Sequence, residues 1–215
     1  MHMLITIMLL LNPTFGSPIH AIAYSPDSKF VAVGGDRHLK VWSLVDQRVV
    51  FASHPEEAVT GVTFVGNRMM VATRGMSSID QEPAGGSLTV YKVDSWQKQE
   101  VEMRGHISVV AGGNYIATAF SGLTGPGAIY VYRDQKEQHV LRHDFGIVPV
   151  GFSQNGRKLL AVTADGQVQL YETESGKMLH VWKGCYGTIR PDGALVAFKR
   201  DYYRVVLVNV ETSKE

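Results

Sequence analysis

Five stretches of this 215-residue chain follow one plan: an apolar strand, a polar turn, a second apolar strand, another turn, and a third strand ending on an aromatic or bulky residue. The first runs from Ile19 to Leu44 (IHAIAYSPDSKFVAVGGDRHLKVWSL) and the fourth from Val148 to Thr173 (VPVGFSQNGRKLLAVTADGQVQLYET). Aligned on their third strands, the stretches place Trp42, Tyr91, Tyr132, Tyr171 and Val210 at equivalent positions, 49, 41, 39 and 39 residues apart. The first turns align independently, at Ser25 to Ser28, Val65 to Asn67, Gly112 to Asn114, Ser153 to Gly156 and Arg190 to Gly193. Two landmarks with one spacing mark a repeated unit of about 40 to 45 residues, which cannot bury its apolar face alone and must stack on its neighbours.

Within each unit the strands are short, rich in Val, Ile, Leu and Tyr, and bounded by Gly, Asn, Asp and Pro, with no sustained helical period. This predicts an all-β chain. Asn155-Gly156 and Asp192-Gly193 supply residues that tolerate the positive φ of tight reversals. Ser25-Pro26-Asp27, and Asp36 with Lys40-Val41-Trp42, resemble the WD40 family, whose repeats run through an S-P-D-G-like turn and a D-x-x-L/V-x-V-W third strand. Asp165 with Tyr171 is a weaker copy, Gly105-His106 matches the dipeptide that precedes a repeat, and no Trp-Asp dipeptide occurs. The resemblance implies a single-domain WD40-like β-propeller over residues 1–215, with about five four-stranded blades near 17–52, 58–103, 106–141, 147–182 and 185–215. Trp42, Tyr91, Tyr132 and Tyr171 are then expected to be buried between blades.

Fourth, outer strands are expected at Arg48 to Ala52, Lys98 to Met103, Gln138 to Leu141 and Lys177 to Trp182, while the fifth unit ends without one. Propellers of this kind resemble a ring closed by the first strand completing the last blade, and Leu4 to Leu11 (LITIMLLL) sits where such a closing strand belongs. The same segment has a second reading as the apolar region of a signal peptide, although no Lys or Arg precedes it and no A-x-A site follows. Five blades are fewer than the family's usual number. A fragment of a larger ring and self-association through an open ring therefore stand as alternatives.

Lys and Arg number 21 against 20 Asp and Glu, a formal net charge of +1, so no whole-molecule field draws the chain to nucleic acid or an anionic membrane. Neither is expected as a partner. The single cysteine, Cys185, leaves no internal disulfide and no multi-cysteine metal site, which suits a reducing, cytoplasmic location. Only His139 and His143 have a metal-like i, i+4 spacing, and on an extended strand their rings would stand roughly 13 Å apart. No metal is assigned. The glycine pairs at strand ends open no helix, and G-x-S-x-G is absent, so no cofactor site and no catalytic residue is assigned either. For His54 and His106 the resemblance implies a structural hydrogen bond to an Asp and a Trp of the same blade. Tyr202-Tyr203 beside Lys199, Arg200 and Arg204 is the best basic and aromatic cluster, read as a solvated face at a β-turn.

Loop length is the clearest functional cue, because binding residues concentrate on loops held by a rigid scaffold. The second unit carries an insertion between its second and third strands, Gly75 to Gly86 (GMSSIDQEPAGG), and the third a smaller one, Gly122 to Gly127 (GLTGPG). The resemblance implies that these loops share a face with the linker Ser53 to Ala58. Glu56, Glu57, Met76, Ile79, Asp80, Glu82 and Leu123 would then form a mixed apolar and acidic surface for a protein or peptide partner. The expected function is a non-catalytic interaction scaffold. The alternative is a propeller enzyme, lactonase-like or another small-molecule hydrolase, working at the mouth of the central channel.

Overall fold

The computed structural model describes residues 18–74, 87–99, 101, 103, 104, 108–121 and 125–214. Five antiparallel meanders follow one another. Blade 1 consists of β1 (Ile19–Tyr24), β2 (Phe30–Gly35), β3 (His38–Ser43) and β4 (Arg48–Ser53), paired in that order. Blade 2 is β5 (Ala58–Val65), β6 (Arg68–Arg74), β7 (Leu88–Lys92) and β8 (Gln97–Gln99). Blade 3 holds β9 (Ser108–Gly112), β10 (Tyr115–Ser121), β11 (Gly127–Arg133) and β12 (Lys136–His143). Blade 4 comprises β13 (Ile147–Phe152), β14 (Lys158–Thr163), β15 (Gln167–Glu172) and β16 (Met178–Lys183). Blade 5 has three described strands, β17 (Cys185–Ile189), β18 (Leu195–Lys199) and β19 (Val205–Asn209). The outer strand of blade 2 is shorter than the expected Lys98 to Met103, and that of blade 3 is longer than Gln138 to Leu141.

The second strand of blades 1 to 4 is buried on both sides, which explains apolar runs where a half-exposed strand would alternate, whereas in blade 5 only Val196 and Phe198 of β18 are buried. In blade 2, Met69 and Val71 pack toward blade 1 while Met70 and Ala72 pack toward blade 3. In blade 4, Leu159 and Ala161 face blade 3, and Leu160 between them faces blade 5. From the second blade on, the third-strand landmarks point toward the preceding blade: Tyr91 packs on blade 1, Tyr132 on blade 2, Tyr171 on blade 3 and Val210 on blade 4. Tyr132 and Tyr171 are buried between blades as expected, whereas Trp42 is buried against Val31, Val33 and Leu44 of its own blade. Tyr91 is only half-buried, because its ring lies against Phe51 (centroids 4.9 Å apart) near the rim of the sheet.

Register repeats as well. A bulge falls at the same place in the inner strands of four blades, displacing His20, Thr60, Val150 and Tyr186, and it sharpens the local twist that fans successive sheets apart. The residue after the bulge is Ala21, Gly61, Gly151 or Gly187. A Cβ on Gly61 would stand 3.0 Å from the Val109 backbone nitrogen, so the small residue permits neighbouring inner strands to approach. Along the ring, Ile22 and Tyr24 of blade 1 and Tyr186, Val205 and Leu207 of blade 5 are exposed, so among the described residues the two terminal blades do not cover one another. The expected closing strand Leu4 to Leu11 lies outside the described residues.

The turns joining first to second strands come in two designs. Blades 2 and 3 use two-residue hairpins, Gly66-Asn67 and Gly113-Asn114, with the glycine at φ +54° and +57°. Blades 1, 4 and 5 use longer turns closed by a side chain two residues on. Ser25 donates to Asp27 at 2.7 Å, Ser153 to Asn155 at 2.8 Å and Arg190 to Asp192 at 2.8 Å. Neighbouring turns interlock: the Gln154 N–H reaches the Pro191 carbonyl at 2.7 Å, and Gly156 (φ +72°) sits on the Gly112 carbonyl, 2.4 Å from where a Cβ would be. Gly166 has φ +84° with open space around it. Gly166→Ala should therefore cost about 1 kcal/mol for left-handed backbone alone, whereas Gly156→Ala should cost at least ~3 kcal/mol because a backbone clash is added. Urea unfolding midpoints measure both, and equal losses would refute the interlock.

Candidate functional site

Antiparallel order fixes two faces. First strands begin, and second strands end, at the face that carries the loops between second and third strands together with the links between blades. The face at the other end carries the remaining turns, about 20 Å away along a seven-residue strand. Of the seven residues expected to contact a partner, Met76, Ile79, Asp80, Glu82 and Leu123 lie outside the described residues. Glu56 is exposed on the linker between blades 1 and 2. Glu57 is half-buried, and its carboxylate accepts a hydrogen bond from the Thr73 hydroxyl, which also meets Ser87 Oγ at 2.9 Å. This carboxylate is thus engaged inside blade 2, at the root of the loop that follows β6.

Side-chain chains of this kind recur on the loop-bearing face. In blade 1, His20 Nε2 lies 2.7 Å from Asp36, and His38 Nδ1 lies 3.1 Å from His54 Nδ1. The expected Asp and Trp partners of His54 are not the contact seen, because Leu39 pairs with Ser53 and that register sets His38 directly opposite His54. His106 lies outside the described residues. In blade 3 the Arg104 backbone N–H donates to the Tyr132 hydroxyl at 2.7 Å, and the Thr118 hydroxyl donates to the Arg104 carbonyl. In blade 4 the Tyr171 hydroxyl donates to Gln169, whose Nε2 bonds Gln167 at 2.9 Å and approaches His143 Nε2 at 3.3 Å. His139 instead meets the Glu174 carbonyl. Among the described residues, no three His, Cys, Asp or Glu side chains converge as a metal site would require.

The turn between β18 and β19 opens on the same face. Asp201 accepts the backbone N–H groups of Tyr203 and Arg204, each at 3.0 Å, and pairs with the Arg204 guanidinium. Those contacts hold its carboxyl below the usual range, with the Arg204 hydrogen bond the largest cause. The turn leaves Tyr202 and Tyr203 88% and 97% exposed, with Lys199 Nζ 4.8 Å from the Tyr202 ring centre. The sequence reads this cluster as a solvated face at a turn, and the two rings are indeed exposed on the turn between β18 and β19.

Burial raises the phenol pKa of Tyr132 and of Tyr171. Both phenols are neutral in either state below pH ~10, and above it the unfolded chain releases these protons first. Their contribution to stability is therefore complete at neutral pH and lost as pH climbs through the raised folded values. The urea midpoint should fall between about pH 9 and about pH 11, and the fall should be shallower in the double variant Tyr132→Phe, Tyr171→Phe. An unchanged slope in that variant would place the loss elsewhere.

Comparison with known proteins follows the same outline. A model of the WD40 family, the WD domain or G-beta repeat, matches residues 11–43, the first of the five units. Periodic tryptophan protein 2 of Arabidopsis thaliana is 22% identical over an alignment covering 77% of this chain and 23% of that protein. The Periodic tryptophan protein 2 homolog of Dictyostelium discoideum is 23% identical, covering 73% of this chain and 22% of its own length. The chain thus spans less than a quarter of these relatives. Among solved structures, Kuenenia stuttgartiensis Hydrazine Synthase superposes with a TM-score of 0.69 over 90% of this chain and 65% of that one, at 12% identity, a likeness of fold alone. One repeat matched by the WD40 model, its landmarks recurring in four further units, and five stacked antiparallel sheets give this chain a β-propeller fold whose first unit is similar to a WD40 repeat.

Proposed function

We propose that the chain is a non-catalytic protein–protein interaction scaffold, and that its partner binds the face bearing the loop of residues 75–86. The observation that carries this reading is the exposed pair Tyr202 and Tyr203, presented on that face by an Asp201-capped turn beside Lys199. Tyrosine combines a large apolar ring with a hydrogen-bonding tip, and aromatic and arginine side chains dominate the energetics of protein interfaces. Glu56 and the insertion's Met76, Ile79, Asp80 and Glu82 would add apolar and acidic contacts from the second blade. Similarity to WD-repeat relatives supports the scaffold reading at the coarser level, and the near-zero net charge favours a protein over a nucleic acid or a membrane.

Affinity capture with the intact chain, followed by a binding isotherm on the recovered partner, tests the assignment. Replacing residues 75–86 by a two-residue turn should abolish binding while leaving the unfolding midpoint unchanged. Tyr202→Ala with Tyr203→Ala should weaken binding by roughly 30-fold, the equivalent of about 2 kcal/mol. Full affinity in both variants would move the partner to another surface.

A further inference from the structure

We infer a second recognition site on the opposite face: the cleft between blades 2 and 3 binds an extended peptide segment that presents an apolar side chain flanked by a carboxylate. The cleft has a volume of about 350 Å³, within the range of natural ligand pockets. Strand register builds it. Arg68 on β6 pairs directly with Lys92 on β7, and two residues further in Met70 pairs with Val90, so both pairs line the side of blade 2 that faces blade 3. Ile116 of blade 3 and Met103 of the connecting segment complete an apolar floor, and Gln135, from the turn between β11 and β12, stands at the far lip.

The charge arrangement selects the occupant. Like charges directly opposite on neighbouring strands are unfavourable, yet Arg68 and Lys92 share the mouth of this cleft. Asp94 lies 3.7 Å from Lys92, and the Gln135 amide oxygen, turned toward Arg68, accepts from its guanidinium. A neutral amide cannot offset that cation, so among the described residues the mouth keeps a net positive charge over an apolar floor. An incoming carboxylate would gain charge-assisted hydrogen bonds from the Arg68 fork while its apolar neighbour enters between Met70 and Met103. Methionine is a pliable lining that accepts several apolar shapes. The recessed floor suits a side chain inserted from a peptide better than a flat anionic membrane.

The test uses the full chain carrying ¹³C-methyl methionine, with Met70 and Met103 signals assigned through Met70→Leu and Met103→Leu. The probe is an acetylated, amidated pentapeptide, Gly-Glu-Leu-Glu-Gly, against a version with lysine in place of glutamate. The Met70 and Met103 methyls should shift saturably with the glutamate peptide and at least ~10-fold more weakly with the lysine peptide. Arg68→Glu, an exposed position, should reverse that order without lowering the unfolding midpoint. The inference is overturned by no methyl shift at millimolar peptide, by equal response to both peptides, by indifference to Arg68→Glu, or by a response to phosphatidylserine vesicles alone. Shortening the loop of residues 75–86 leaves this readout untouched, so the two sites succeed or fail separately.

Discussion

Each of the four large apolar clusters is built from two adjacent blades, and that sharing holds the sheets in line. Leu39 and Val41 meet Val59 and Phe64, Met70 and Val90 meet Val109 and Ile116, Ile129 and Leu141 meet Ile147 and Leu159, and Leu170 meets Phe198 and Val208. A blade in isolation would leave both sides of its second strand in water, a loss of apolar burial too large for a four-stranded sheet to sustain alone. The small residues after the inner-strand bulges serve this contact: Gly61 lets the inner strand of blade 3 approach at Val109, and Gly187 leaves room for Leu160 of blade 4.

Rigid stacking gives the two faces their different characters. Turns between first and second strands interlock through backbone contacts such as Gln154 to Pro191, and that face is knitted tightly toward the ring's interior while clefts open farther out. On the other face, polar side chains link the third-strand tyrosines toward the connections between blades, as Tyr132 does with Arg104 and Tyr171 does through Gln169 with His143 at the end of β12. The loops rooted there are therefore carried on a braced platform, the arrangement in which loop residues best serve recognition.

Much of the fold was legible in the chain itself. Trp42, Tyr132, Tyr171 and Val210 were recognisable as equivalent positions, and in the structure all four are buried. The site was less legible. Glu57 is expected beside Glu56 on a partner-binding surface, and only the pairing of β5 with β6 brings it to Thr73, sixteen residues away. His54 read as a partner for an Asp and a Trp, and the register of β3 with β4 gave it His38 instead. Arg68 and Lys92 carry no motif in sequence and become a pair only across the β6–β7 ladder.

By itself the sequence determined the all-β class, the period of the repeat, the turn positions and the apolar side of most strands. These depend on local chemistry: positive φ at Gly66 and Gly113, side-chain caps at Asp27 and Asp192, and runs such as Leu159-Leu160-Ala161 whose neighbours must be apolar on both sides. Tertiary structure alone decided which side chains share a surface, since the bulges set sheet twist and the blade-to-blade packing sets which turns adjoin. Ile116 and Gln135 reach the cleft of blade 2 from a different sheet, and Tyr202 reaches the loop-bearing face from the last blade. Residues separated by tens of positions acquire a common chemistry only when strand register and sheet stacking bring them together, and neither can be read from one stretch of chain.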